Sequence, residues 1–310
     1  MLGRIVEISG QGRRLSLHRG FLEISGPEGI LGQIPLDDIE AVIASTPAVS
    51  YTSQALTALA ERGAPVVICG PNFTPSAFLL PVDGHHAQGE RFEAQAGARL
   101  PVRKRLWAEI VKAKVSAQAA ALERVGANPL PVRHLVSRIR SGDIGNVEAQ
   151  AAQKYLPAMF GATFKRDREA DGVNAALNYG YTVLRAATAR SIVAAGLHPS
   201  LGLHHVSKGS SLRLADDLME PFRPAVDLLV LGMARHGAIG LDPPTKRTLA
   251  GVLHADYPTA EGASPLSNAL TRLAQSLAQV FLGERRYLAW PLELVPLAPT
   301  ALAVSDAGGA

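Results

Sequence analysis

The residue pattern changes character once, between about residues 80 and 100, and no other feature of the sequence constrains the fold as tightly. Before the change, short apolar or alternating runs are separated by Gly10, Gly12 and Gly20: Ile5-Val6-Glu7-Ile8, Leu15-Ser16-Leu17, Phe21-Leu22-Glu23-Ile24, Leu31 to Leu36 and Ile39 to Ile43. That is the pattern of strands and turns. One helix is predicted to interrupt it, with Ser53 as the cap of Gln54–Arg62, Gly63 as its end and Val66–Cys69 returning to strand. After Pro101, Leu106, Ile110, Val115 and Leu122 fall on a helical stripe in an alanine-rich segment. Further helices are predicted near Pro131–Arg140, Val147–Phe160, Gly172–Ala195, Leu212–Arg235, Thr245–His254 and Pro265–Leu282. The expected architecture is α+β and two-domain: a small β-rich N-terminal domain (1–80), a linker (81–97), a larger all-α domain (98–295) and a loose tail (296–310). The linker lacks apolar periodicity, and its Asp83-Gly84-His85-His86 reads as a solvated hinge, since no third ligand lies close in sequence.

A length of 310 residues accommodates these two domains at roughly 150 residues each. The single cysteine, Cys69, excludes an intramolecular disulfide and a cysteine-clustered zinc site. No apolar run reaches the ~18 residues of a membrane helix, and Asp227 interrupts the best candidate. The first residues carry no signal-peptide core, so a cytoplasmic protein without membrane contact is expected. Gly10-x-Gly12 lacks a third glycine and a following helix, and there is no phosphate-loop Gly-Lys-Ser/Thr.

Charge is unevenly placed. Residues 1–100 hold 7 basic and 10 acidic side chains, with no lysine, whereas residues 101–140 hold 9 basic and 2 acidic, and the rest of the chain balances. The formal excess of +4 therefore comes from one block, formed by Arg103, Lys104, Arg105, Lys112, Lys114, Arg124, Arg133, Arg138 and Arg140. A block of one sign attracts a polyanion through Coulomb forces and counterion release, which points to nucleic acid without choosing between DNA and RNA.

Three features of the helical half carry chemistry. Asn174, Asn178, Tyr181, Arg185 and Thr188 are spaced to share one helix face, and such residues favour specific hydrogen bonds over plain solvation. Gly202-Leu203-His204-His205 precedes a segment in which a helix would group Asp216, Asp217 and Glu220. Like charges so placed need a cation, an arginine or solvent between them. Glu148 stands at the start of a small-residue helix, where a carboxylate favoured by the helix dipole is the simpler explanation. Two carboxylates and an imidazole suit Mg²⁺ or Mn²⁺, and beside a basic block the natural chemistry is phosphoryl transfer on nucleic acid. The residues alone reach no further than a candidate metal-dependent nuclease.

The run Asn174-Ala-Ala-Leu-Asn178-Tyr179-Gly180-Tyr181-Thr-Val-Leu184-Arg185 resembles the signature helix of the CRISPR-associated adaptation integrases, the "Cas one" family. Leu197-His-Pro-Ser-Leu-Gly202-Leu-His-His205 and Ala215-Asp-Asp-Leu-Met-Glu220-Pro-Phe-Arg-Pro224 are similar to it as well, as are Ile34–Ile39 and the Ser53–Cys69 unit, in the expected order. The resemblance implies a β-rich domain followed by an α-helical catalytic domain. It implies a metal set on Glu148, His205 and Glu220, with His204 the weaker candidate because the family's histidine follows glycine by three positions. A glutamate at the last position is similar to systems with a single large effector nuclease (type II). Asn178, Tyr181 and Asp217 are then expected to support the ligands, and Arg103, Lys104, Arg105, Lys112, Arg133, Arg138 and Arg140 to hold DNA phosphates. The implied activity is joining of the 3′-hydroxyl ends of short duplex DNA into the CRISPR array beside the leader, which is spacer acquisition. The implied partners are double-stranded DNA, a second copy in a homodimer, and the second adaptation protein ("Cas two"), whose dimer two integrase dimers flank. The single effector nuclease is a further candidate partner. A structure-selective nuclease acting on branched DNA, or a catalytically silent DNA-binding scaffold, is the rival reading.

Overall fold

The computed structural model describes residues 4–8, 10–44, 46, 48–69, 75–79, 81–82, 87–205, 211–237, 240–260 and 262–297. The chain opens with β1 (Arg4–Ile8), β2 (Arg13–His18), β3 (Phe21–Gly26), β4 (Gly29–Pro35), β5 (Ile39–Ala44), β6 (Val49–Tyr51), α1 (Ser53–Glu61), β7 (Val66–Cys69) and β8 (Pro75–Leu79). These strands make two four-stranded sheets, ordered β1-β5-β7-β8 and β4-β3-β2-β6. In the first sheet β1, β5 and β7 run parallel and β8 returns antiparallel; in the second, β4, β3 and β2 are antiparallel and β6 joins β2 in parallel. Helix α1 begins one residue earlier in its cap than expected: the Thr52 hydroxyl accepts the Ala55 N–H at 3.2 Å.

The period-2 alternation of β5 and β7 explains how this part is joined to the rest. Val42 and Val66 turn toward a core with Leu15, Leu22, Leu36 and Leu59, whereas their neighbours Ile43 and Val67, with Cys69, enter the core of the helical body. The central strand β5 is therefore buried on both faces, which is why its residues 41–44 read as a continuous apolar run. A polar tie adds to the packing. Glu7 of β1 accepts the Tyr179 hydroxyl at 2.9 Å and pairs with Lys246 at 2.8 Å.

The helical body comprises α2 (Gln88–Ala96), α3 (Leu100–Arg124), α4 (Leu130–Arg133), α5 (Val147–Phe160), α6 (Val173–Ala194), α7 (Arg213–Leu218), α8 (Arg223–Arg235), α9 (Pro243–Ala250) and α10 (Leu266–Phe281). A small hairpin, β9 (Asp256–Thr259) with β10 (Gly262–Pro265), is set among them. The stretch expected as a linker, 81–97, contains α2. That helix shows no apolar stripe because hydrogen bonds dock it: Gln95 Nε2 donates to the His198 and Leu201 carbonyls and Arg91 to that of Ala195. The paired histidines His85-His86 and residues 298–310 of the expected tail lie outside the described residues. No helix of the described residues is long and apolar enough to cross a membrane.

Helices α3 and α6 run through the centre. Leu106, Ile110, Val115 and Leu122 of α3 are all fully buried, and most of α6 is buried on every side. Gly180 lets α6 and α8 approach closely, since a Cβ there would stand 2.4 Å from Val226 Cγ1. Gly180→Ala is expected to lower the unfolding free energy by about 1–3 kcal/mol through overpacking, with Val226→Ala restoring part of the loss. Denaturant melts of the three variants measure both.

Candidate active site

The expected helix Leu212–Arg235 is broken, and the break builds the site. Pro221 and Pro224 have no N–H for a continuous helical ladder, so α7 gives way to a 3₁₀ turn, Glu220–Phe222, and Pro224 falls in the first turn of α8, where it is tolerated. Asp216, Asp217 and Glu220 consequently do not share one face, as helical spacing had suggested, and each meets its own cation or donor. Asp216 forms a two-pronged pair with Arg185, at 2.6 and 2.8 Å. Glu220 turns inward, where Arg223 lies 2.9 Å from Oε1 and the Lys114 ammonium 2.5 Å from Oε2.

Lys114 also reaches Glu148, 2.6 Å from Oε1. Glu148 is placed by the turn before α5, in which Asp143 and Asn146 adopt left-handed backbone, a conformation these two residue types tolerate. The Asp143 carboxylate then accepts the Val147 and Glu148 N–H groups at 2.9 and 3.0 Å, capping the helix start. Two glutamates remote in sequence thus share one ammonium, and their facing oxygens can be no further apart than two hydrogen-bond lengths. Burial alone would drive Glu220 to protonate, but Arg223 and Lys114 outweigh it and hold its pKa below the ordinary glutamate value. Burial would likewise strip the proton from Lys114, and Glu220 and Glu148 reverse that, raising its pKa above the ordinary lysine value.

His205 ends a turn that Asp217 organises. Asp217 is fully buried; its Oδ2 accepts the backbone N–H groups of Leu203 and His204 at 2.6 and 3.2 Å, and its Oδ1 that of His205 at 3.3 Å. The same Oδ1 lies 2.6 Å from His205 Nδ1, and this hydrogen bond raises the His205 pKa despite partial burial. Gly202 is required by the tightness of the turn: a Cβ there would stand 2.8 Å from Arg213 Cβ and 2.9 Å from Asp217 Oδ2. His204 instead stacks flat on buried Trp107, with ring centres 4.3 Å apart. His205 lines a cavity of about 220 Å³ with Arg103 and Arg213, a cavity that neither Glu148 nor Glu220 lines. Among the described residues no three His, Cys, Asp or Glu side chains come together closely enough to hold a metal ion.

The polar face of α6 makes specific contacts along its length. Asn174 and Asn178 clasp the Arg166 guanidinium, at 2.9 and 2.5 Å, and Asn178 Nδ2 also donates to the Arg168 carbonyl. Tyr181 donates to Asp227 at 2.5 Å, as Tyr155 does at 2.8 Å, and its ring lies 4.7 Å from the Arg223 guanidinium carbon. Tyr181 therefore reaches Glu220 through Arg223, whereas Asn178 holds the 165–168 loop. Desolvation pushes Asp227 up to about 6 against the two hydroxyls that favour its charge.

The basic block divides in two. Arg103, expected as a phosphate contact, donates to the Gly202 and Leu203 carbonyls and so braces the histidine turn. Arg105 donates to the Arg286 carbonyl, Arg124 to that of Pro296, and Lys114 is buried. Lys104, Lys112, Arg133, Arg138 and Arg140 are exposed, Arg133 in a pair with Glu123. The roles of Lys114, Arg223, Asp143 and Asp227 went unread in the sequence. One signal was present: Lys114 follows Ile110 by four and precedes Val115, which places it beside the buried stripe.

Comparison with solved structures places this architecture in one fold class. It matches a casposase bound to integration product (TM-score 0.76, 22% identity, 93% of this chain and 92% of the other) and a CAS1 protein from Thermotoga maritima (TM-score 0.74, 16% identity, 92% and 99%). At those identities the likeness is one of fold. The family model for CRISPR associated protein Cas1 matches residues 6–257, and the chain belongs to that family. The CRISPR-associated endonuclease Cas1 of Neisseria meningitidis serogroup C (strain 8013) is 41% identical over 248 residues, 78% of this chain and 81% of the relative. A Cas1 endonuclease of Pyrobaculum aerophilum is 28% identical over 292 residues, 88% and 98%.

Two substitutions test the electrostatics. Asp227 has a folded-state pKa of about 6, above its unfolded value of 3.8, so folding favours its neutral form and the stability this gives is lost as pH rises from the unfolded pKa through about 6. Asp227→Asn keeps a partner for both tyrosines, and its melting temperature relative to wild type should rise between about pH 4.5 and pH 8. Asp217→Asn should bring the His205 titration down toward the free-histidine value, read from the ring-proton NMR signal.

Proposed function

We propose that this chain is a divalent-metal-dependent DNA integrase and endonuclease that joins the 3′-hydroxyl ends of short duplex fragments to a phosphodiester of the CRISPR array. The observation that carries the reading is the convergence of Glu148 and Glu220, remote from each other in sequence, on a single cation. The donor chemistry fits Mg²⁺ or Mn²⁺. Both carboxylates already share one positive charge, with Lys114 Nζ 2.6 Å from Glu148 Oε1 and 2.5 Å from Glu220 Oε2. With Nδ1 held by Asp217, the His205 ring presents Nε2 as its ligand atom, and Glu220 and His205 are near enough to feel each other's charge. The ligands would be Glu148, Glu220 and His205, the histidine having to close in from the cavity it lines, since the three side chains do not meet in this structure. A bound ion would lower the pKa of the attacking hydroxyl and neutralise charge on the phosphate.

The remaining work falls to the chain's own groups. Asp217 keeps the proton on Nδ1 and fixes the ring, and Arg103 braces the turn that carries it. Arg223 orients Glu220 through its other oxygen, and Tyr181 supports Arg223 from beneath. Lys104, Lys112, Arg133, Arg138 and Arg140 would take duplex phosphates, giving position more than sequence choice. The family relatives are named endonucleases, one structural neighbour is a casposase bound to integration product, and another is a Cas6-RT-Cas1--Cas2 complex. These names support cutting and joining of DNA, and Cas2 as a partner. Short duplex fragments and repeat-leader DNA as substrates, and two homodimers about a Cas2 dimer, are the family pattern that this reading adopts.

Labelled duplex with free 3′ ends, incubated with a supercoiled plasmid carrying leader and repeat, tests the reading. Glu148→Gln, His205→Ala and Glu220→Gln should each lower joining by more than about 100-fold while duplex affinity stays near wild type. Alanine at Lys104, Lys112, Arg138 and Arg140 should instead weaken binding and reduce its salt slope by roughly one for each phosphate no longer neutralised. Joining by the Glu148→Gln variant at the wild-type rate would remove the metal assignment.

A further inference from the structure

We propose that Lys114 is the site's resident counter-cation: its ammonium holds the Glu148 and Glu220 carboxylates until a divalent ion takes that place, so Lys114 and the ion are antagonists. The inference rests on the metal reading above and deepens it. Lys114 lies midway along α3 among buried Val111, Ala113, Val115 and Ala117, and is only 9% exposed. Nothing in that apolar surrounding calls for a lysine, a residue almost never buried unless paired. Its pairing is with the two glutamates, at 2.6 and 2.5 Å from one oxygen of each.

An ion held by the same two carboxylates would compete with Nζ, which lies 2.6 and 2.5 Å from their facing oxygens. Placed beside the ammonium, a dipositive ion would also repel it strongly. The charge count supports exchange over coexistence. With Lys114 and Arg223 against Glu148 and Glu220 the cluster is neutral and closed without any ion. Exchange frees the ammonium on its flexible four-carbon stem, while Glu220 keeps Arg223. Glu148 has no second side-chain cation among its described contacts, so it is the ligand most dependent on whichever cation occupies the site.

The test is Mn²⁺ binding by the DNA-free protein, followed by calorimetry and by the ion's effect on the melting temperature. Lys114→Met, which keeps the stem and removes the charge, should bind Mn²⁺ with a Kd lower by about tenfold or more. It should melt lower than wild type without the ion and gain more on adding it. An affinity equal to or weaker than wild type overturns the proposal. Wild-type protein gives a second readout that needs no variant: amine acetylation of Lys114, quantified by mass spectrometry, should rise when Mn²⁺ saturates the site. Unchanged or reduced labelling under saturation contradicts displacement. Glu148→Gln and Glu220→Gln separate the two readings. If they bind Mn²⁺ as wild type does, or wild type binds none, the metal reading falls and takes this one with it. If they lose the ion while Lys114→Met gains nothing, only the role of Lys114 falls.

Discussion

Four charged side chains, Glu148, Lys114, Glu220 and Arg223, meet inside a helical body otherwise packed with leucine, alanine and valine. Taking any one of them out of water alone would be prohibitive, and their mutual attraction makes the arrangement tolerable only if all four are positioned together. Much of the surrounding structure can be understood as meeting that condition. Helix α3 carries the lysine, the capped start of α5 delivers Glu148, and the proline-broken junction of α7 and α8 delivers Glu220 and Arg223. A helix that continued through Pro221 would carry Glu220 onto the face of Asp216 and leave Lys114 with a single partner.

Asp217 performs the corresponding task for the histidine. A single carboxylate without exposure accepts three consecutive backbone N–H groups and holds the ring of the last residue. This converts a short loop into a rigid mount, and it explains why glycine precedes it: no side chain fits at Gly202 between Arg213 and the carboxylate. Arg103 binds the other side of the same turn through two carbonyls, so a residue from the basic block serves the site's shape. His205 and the aspartate that holds it are thus one structural unit.

The sequence carried much of this. Alternation and glycine spacing located the strands, and the ends of α5 and α6 fall within a residue of the expected ones. The three ligand candidates, however, followed from family resemblance, since spacing alone cannot bring Glu148 near Glu220. Helix α2 was illegible because polar hydrogen bonds from Gln95 and Arg91, not an apolar stripe, fasten it. The basic block was legible as charge but not as geometry: Arg103, Arg105, Lys114 and Arg124 are bound to protein partners, and Lys104, Lys112, Arg133, Arg138 and Arg140 remain exposed.

By itself the sequence determined what is local: the strand and helix periods, the proline break, the glycines that allow close approach, and a net positive segment. Those depend on neighbours a few residues away, and a one-dimensional pattern records them. Only the tertiary structure decided which charges face each other, because the partner of a buried ion is chosen by the packing of helices far apart in the chain. A lysine among nine basic residues could thus become the cation between two glutamates, a role that no spacing along the chain encodes.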